Sequence, residues 1–400
     1  MTDLTLSDLC ELVVDCKNRT PPEANPGEQP VGFAIGTPHI INGRIRLSDA
    51  KPVSQETFDI WTARAVPQED DIVLTREAPV GRVGRIEEGM RVCLGQRTML
   101  LRPDTRHTDS RFLHYFLLSS VVQDRLHAQA SGSTVAHLRV AQVRDLKIPP
   151  VPPLEEQRRI GAALGALDDK IAVNERITVV TRELGLALFV RAVLGDDPVE
   201  VDVDEVSVVL TRGVSPNYSE NPDDLVVLNQ KCVRDGRVSL APARLTVREN
   251  VKAPKLLQRN DVLVNSTGVG TLGRVARWTS DSEATVDSHV TIVRFDERAV
   301  DPVCAGFALL RAQPEIEAMG EGTTGQTELR RTQLGGLVIT LPSRRGQERL
   351  RLDLDALEGR ADHALAEAQS LAMLRDTLLP QLLSGRLRVK DAEKIVEDHV

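Results

Sequence analysis

The sequence predicts a mixed α/β (α+β) protein built twice over, each copy ending in a long helix and the two helices pairing as an antiparallel coiled coil. Three observations predict this. The chain contains a diverged internal repeat, each copy opens with short Val/Ile/Leu runs broken by Gly, Pro and Asn, and each closes with a heptad-patterned stretch. At 400 residues and 41% hydrophobic content the chain is long enough for more than one packed core.

The repeat sets the frame. Asp71-Ile72-Val73-Leu74 followed by TREAPVGRVGR recurs as Asp261-Val262-Leu263-Val264 followed by NSTGVGTLGR. On this reading Gly84-Arg85 matches Gly273-Arg274. Upstream, Gly43-Arg44-Ile45 matches Gly236-Arg237-Val238 and Pro22 matches Pro216. Downstream, Leu138-Arg139 with Gln142 matches Leu329-Arg330 with Gln333, and Gln157, Leu167 and Leu184 match Gln347, Leu357 and Leu374. The order is kept throughout, which marks a tandem duplication.

The elements then follow in order. Residues 1–150 form the first mixed domain, with strands and turns at 31–46, 71–85 and 92–102 and a helical stretch near 110–128. A polar loop at 131–134 and a proline-marked boundary lead into a helix over 151–195. Residues 196–343 repeat the plan, with a helical stretch near 302–319 and a polar loop at 322–327. A second helix covers 344–389, and 390–400 are expected to be a tail.

The helices carry the strongest local signal. Leu350, Leu354, Leu357, Ala361, Ala364, Ala368 and Leu371 alternate spacings of four and three, a coiled-coil seam. Ile160, Leu164, Leu167, Ile171 and Asn174 hold the matching places in the first helix, and Ile177, Val180, Leu184 and Leu188 are expected to continue it with a small shift. A run of about 40 residues is roughly 60 Å long. A helix so apolar on one face needs a partner, and the other copy supplies one. Pro380 and Gly385 mark the kink and close of the second helix.

The segment IPPVPPLEEQRRIGAALGALDDKIAVNERI at 148–177 closely resembles the central conserved region of type I restriction–modification specificity subunits, and LLPQLLSGRLRV at 378–389 resembles their second conserved region. DIVLTREAPVGRVG and its echo DVLVNSTGVGTLG resemble the glycine-rich strand–turn of their target-recognition domains. One departure is visible: PSRRGQERL opens the second helix where PPLEEQRRI opens the first, so Glu155–Glu156 has no counterpart. The resemblance implies a non-catalytic subunit whose two target-recognition domains each read one half of an asymmetric, bipartite site in double-stranded DNA, the helices acting as a ruler for the gap. It also implies two methylase subunits that use S-adenosylmethionine to methylate adenine N6. Two restriction/translocase subunits would use ATP and Mg, leaving no cofactor or metal in this chain.

Beside the glycine turns stand candidate DNA contacts: Thr75, Arg76, Arg82, Arg85, Gln96 and Arg97 in the first copy, and Asn265, Ser266, Thr267, Thr271, Arg274, Ser288 and His289 in the second. Ser133 and Thr134, with Thr323, Thr324 and Gln326, join them from the polar loops. Arg and Gln suit base edges, and Ser and Thr suit phosphates, although such residues also serve as ordinary solvated loop positions. Gly268–Gly273 spells GxGxxG, but RVARW follows it and reads as strand, not as the helix that would hold a pyrophosphate. The turn is either purely structural or one that also approaches the DNA backbone.

Other chemistries lack their signatures. The sequence has no Asn-Pro-Pro-aromatic methylase motif, no GxxxxGK[ST] loop and no HExxH. Asp287-Ser288-His289 are adjacent on a strand-like run, where neighbours point to opposite faces and form no relay. Aromatic residues, at 3%, are too few for a single-strand stacking platform. The net charge of −8 does not oppose duplex binding, because phosphate neutralisation needs one basic face only. Five scattered cysteines without a CxxC, the absence of an 18-residue apolar run and an amino terminus unlike a signal peptide predict a cytoplasmic protein with no membrane contact. The competing reading is a coiled-coil scaffold or adaptor that has lost DNA readout.

Overall fold

The structure, a computed structural model, describes residues 4–17, 19–130, 136–195, 197–320 and 328–400. It divides into two compact units, residues 1–173 with 368–400 and residues 174–367. Each unit therefore takes a part of both long helices, Leu154–Gly195 and Arg344–Leu383.

In the first unit a six-stranded sheet runs in the order Cys10–Asp15, Thr98–Pro103, Ile72–Arg76, Val80–Arg85, Arg44–Ile45, Ile40–Ile41. A second sheet sets Gly32–Ile35 between antiparallel Lys51–Val53 and parallel Val92–Leu94. Helix Ser110–Leu118 begins at Asp109, whose carboxylate accepts the Phe112 N–H at 2.9 Å. Phe112, Leu113 and Leu117 on that helix share one core with Ile72 and Leu74 of the sheet and with Ile160, Leu164, Leu167 and Ile171 of the first long helix. Leu371, Leu378 and Leu382 of the second long helix complete it. The expected tail is instead a helix, Val389–Glu397. Its Val389, Ala392 and Val396 fall on one helical face and are buried in the same core, and Glu393 receives Arg159 at 2.5 Å.

The second unit repeats this wiring. Ser207–Arg212, Val290–Phe295, Val262–Asn265 and Val275–Arg277 form the main sheet in the same order and antiparallel sense as the first four strands above. Leu225–Leu228 again lies between an antiparallel strand, Arg244–Thr246, and a parallel one, Ala284–Val286. Asp301 caps helix Pro302–Arg311 through the Val303 and Cys304 N–H groups.

Two polar braces recur in both units. Asp71 accepts two hydrogen bonds from Arg102 at 2.7–2.8 Å and the Gln68 N–H at 2.8 Å; Asp261 accepts two from Arg294 at 2.7 Å and the Gln258 N–H at 2.8 Å. Both carboxylates are buried, so the forked arginine supplies the compensation that burial of a charge demands. Gln157 accepts the Asp109 N–H at 3.1 Å and donates to Pro152 O, and Gln347 accepts the Asp301 N–H at 2.8 Å and donates to Pro342 O. Each long helix is thereby tied to the capped start of its own domain's helix.

The helix pairing is antiparallel. In the second unit Asn174 bonds Glu367 at 2.9 Å while Gly185 lies against Leu354, so one helix descends as the other rises. Ile160, Leu164, Leu167, Ile171, Leu350, Leu354 and Leu371 are buried in their units, as are Ala361, Ala364 and Ala368, and Leu357 is half-buried. The continuation of the first seam differs from the expected one. Val180 and Leu184 are more than 40% exposed, and the buried line runs Asn174, Thr181, Gly185, Phe189. Asn174, Thr181 and Gly185 keep the heptad spacing with small and polar residues, and Phe189 departs from it by one position. Gly185 is required because a Cβ there would lie 2.8 Å from the Phe307 ring, which stacks near Phe189 with centroids 6.4 Å apart.

Candidate nucleic-acid interface

The strand ladders correct the match between the two glycine turns. Ile72 pairs with Arg85 and Val262 with Arg277. Gly81-Arg82-Val83-Gly84-Arg85 is therefore equivalent to Gly273-Arg274-Val275-Ala276-Arg277, and the Gly84-Arg85 to Gly273-Arg274 match is displaced by three residues. The glycines at the head of each strand confirm the register. Gly81 (φ +90°) and Gly273 (φ +81°) both adopt left-handed backbone, and each is pressed against a helix, at Gln123 and at Glu317.

With that register, Arg82 and Arg274 are partners. Arg82 is exposed and donates to the carbonyls of Thr37 (2.9 Å) and Ile40 (3.3 Å); Arg274 is partly exposed and donates to the carbonyl of Gly270 (2.8 Å). Neither guanidinium has a carboxylate partner among the described residues, so both keep their full charge available. Arg85 and Arg277 differ from them. Arg85 pairs with Asp70 at 2.6 Å, and Arg277, 1% exposed, bonds Asn260 at 2.7 Å and the carboxylates of Asp355 and Glu358. Arg277 belongs to the packing of its sheet onto the second long helix, and Arg85 has its guanidinium engaged by a carboxylate of its own unit.

Several other expected contacts are occupied internally. Thr75 is fully buried, its hydroxyl donating to Pro79 O and accepting the Arg82 N–H. Asn265 is buried and donates to Gln230 O and Thr271 O, and Ser266 is buried against the Thr291 hydroxyl at 2.5 Å. These three stabilise the turn from beneath, because polar side chains at a strand end satisfy the backbone groups the turn leaves over. Arg76 is partly buried and donates to Leu138 O.

At the open side of each turn the structure gathers Gln96 and Arg97 in the first unit, and Thr267, Thr271, Ser288 and His289 in the second. Gln96, Arg97 and His289 are exposed, and Thr267, Thr271 and Ser288 partly so. Arg97 pairs with Glu77 at 3.5 Å, and the Thr267 hydroxyl meets His289 Nδ1 at 2.7 Å. Thr271 bonds Gln230 at 3.2 Å. Glu77 and Gln230 were not singled out in the sequence; their strand and turn positions carry no residue-type signal of their own. Ser133, Thr134, Thr323, Thr324 and Gln326 lie outside the described residues.

Among the described residues no cluster of three or more His, Cys, Asp or Glu is arranged to hold a metal ion, and no helix is long and apolar enough to cross a membrane. The Cys10 and Cys93 thiols are pushed up to about 12 by burial.

Residues 1–181 match the family described as Type I restriction modification DNA specificity domain. Through residues 1–181 the chain carries this family's domain, and over most of its length it is similar to type I restriction–modification specificity subunits. Its relatives include the type I restriction enzyme MjaIX specificity subunit of Methanocaldococcus jannaschii, 23% identical over 349 residues that cover 80% of this chain and 78% of that one. The EcoBI specificity subunit of Escherichia coli is 29% identical over 123 residues, 30% of this chain and 25% of its own. The crystal structure of the type I restriction–modification system S subunit from M. genitalium shares the fold, with a TM-score of 0.57, 18% identity and coverage of 96% of both chains. A specificity subunit is the non-catalytic component of its enzyme.

Proposed function

We propose that this specificity subunit reads duplex DNA with both of its units, each recognising one half of a bipartite, asymmetric site, and that it positions two methylase and two restriction/translocase subunits on that site. S-adenosylmethionine, ATP and Mg belong to those partners, and the paired helices set the gap between the half-sites. The observation that carries DNA reading is the equivalence of Arg82 and Arg274. A duplicated hairpin presents at the same position a guanidinium that, among the described residues, is held only by main-chain carbonyls, ready to exchange them for phosphate or base-edge acceptors.

The test uses the chain assembled with its methylase partner and a library of random duplexes. Arg82→Ala should weaken selection at one half-site and Arg274→Ala at the other, each by about 1–3 kcal/mol if the side chain meets a base. A phosphate contact would instead lower affinity evenly and reduce the salt slope by about one. If the assembled complex shows no sequence preference, the scaffold reading replaces this one.

A further inference from the structure

Each unit contains one more equivalent pair at the tip of its main sheet, and the chemistry of the two pairs differs. The Arg76 N–H donates to Arg97 O at 2.8 Å, and the Ser266 N–H donates to His289 O at 2.8 Å. One residue further along, Glu77 and Thr267 each form an isolated bridge, to His137 and to Glu328. Arg97 and His289 thus occupy one place in the duplicated fold, and Glu77 and Thr267 occupy the place across from it. The main chain under both tips is pinned in the same way. Leu138 N–H donates to Arg76 O at 2.9 Å and Leu329 N–H to Ser266 O at 2.8 Å.

On this shared frame the first unit sets an ion pair, Arg97 Nε to Glu77 Oε1 at 3.5 Å. The carboxylate engages the guanidinium at Nε, and the two terminal nitrogens have no partner among the described residues. Arg97 is also held at φ +74°, a left-handed conformation that a residue with a long side chain rarely adopts. The second unit sets a side-chain hydrogen bond between Thr267 Oγ1 and His289 Nδ1, which leaves His289 with Nε2 alone to offer. One tip therefore presents a two-toothed donor and the other a single ring nitrogen.

We infer that Arg97 and His289 are specificity-determining residues at equivalent positions of the two half-sites, with Glu77 and Thr267 as their positioning residues. A guanidinium with both terminal nitrogens available matches guanine O6 and N7 in the major groove, so the first unit demands guanine at this position. The second unit makes one hydrogen bond there and demands no guanine. This inference rests on the DNA-reading function proposed above.

The experiment uses the chain assembled with its methylase partner and duplexes varied one base pair at a time. Arg97→Ala should flatten a guanine preference at one base pair of one half-site by roughly tenfold or more, leaving every other position unchanged. Arg97→Lys should flatten it as well, because a point charge cannot replace the fork. Glu77→Gln should flatten the same position by a smaller factor, and His289→Ala should act at one position of the other half-site. A purely structural role would lower affinity for all sequences alike, and a phosphate contact would be rescued by Arg97→Lys; either result overturns the inference. A wild-type complex that selects a site and an Arg97→Ala complex that selects it equally well overturn this inference alone. A wild-type complex without any preference overturns the DNA-reading function with it.

Discussion

Between neutral pH and pH 5, acid should weaken the first unit through the buried His114. It lies in helix Ser110–Leu118, is 6% exposed, and its Nδ1 has no hydrogen-bond partner among the described residues. Burial pushes its pKa down to about 4; Asp168 pulls upward, while Arg85, Arg375 and Arg44 push further down. The folded unit therefore holds the neutral ring, whereas the unfolded chain protonates it near 6.5. Above pH 6.5 both states are neutral and the residue contributes nothing to pH dependence. Below it the unfolded state takes up a proton that the folded state refuses, and stability falls until about pH 4. Between pH 7.5 and pH 5 this amounts to about 2 kcal/mol. Urea unfolding of the wild type and of His114→Gln at both pH values isolates the effect, since every other titrating group is common to the two proteins. The wild type should lose about 2 kcal/mol more than the variant over that interval. Parallel pH dependences would refute the assignment of a buried neutral imidazole.

The two equivalent glycines should differ in cost. A Cβ on Gly273 meets the Glu317 backbone at 2.6–2.7 Å, whereas one on Gly81 meets the end of the Gln123 side chain at 2.5 Å, which can swing aside. Gly273→Ala should lower the urea midpoint by the equivalent of about 2–4 kcal/mol and Gly81→Ala by about 1–2 kcal/mol, and the reverse order would contradict the packing. Gln157→Ala and Gln347→Ala each strand the N–H of a helix-capping aspartate, Asp109 or Asp301, so each should cost about 1–3 kcal/mol in the same assay. A loss below about 0.5 kcal/mol would show that the brace is dispensable.

Much of this fold is legible in the sequence because duplication prints each feature twice. The Gln157–Gln347 match is visible as a spacing, yet nothing in a glutamine announces that it will clamp a capping aspartate. The first seam is legible as far as Ile171, where the heptad is apolar. Beyond it the heptad positions hold Asn174, Thr181 and Gly185, and the eye moves to Val180 and Leu184, which the structure leaves in solvent. Gly185 faces inward because an aromatic ring fills the space a side chain would take, a fact held by Phe307 and not by the helix. The register of the two hairpins is hidden in the sequence for a related reason. The second copy has the longer turn, so the nearest identical dipeptide is a poorer guide than the strand ladder, which aligns GRVGR with GRVAR. Thr75, Asn265 and Ser266 resemble contact residues by type alone; whether a polar side chain faces outward or braces the turn depends on neighbours far away in sequence.

The division of labour within each unit follows from where its hydrogen bonds go. The bonds that recur in both copies end on the main chain or on buried carboxylates: Asp71 with Arg102 and Asp261 with Arg294, and the carbonyls of Arg97 and His289 held from Arg76 and Ser266. At the sheet tips the bonds that differ join side chains at the surface, exposed Arg97 to half-buried Glu77 and exposed His289 to half-buried Thr267. An exposed pair of this kind is worth at most about 1 kcal/mol to folding, whereas removing one partner of a buried braced carboxylate costs several times more because a charge is left buried and unpaired. Exchanging the tip residues therefore leaves the frame standing. The place where Arg97 and His289 sit is one where chemistry can change at little cost to stability, as the DNA-reading function proposed above requires.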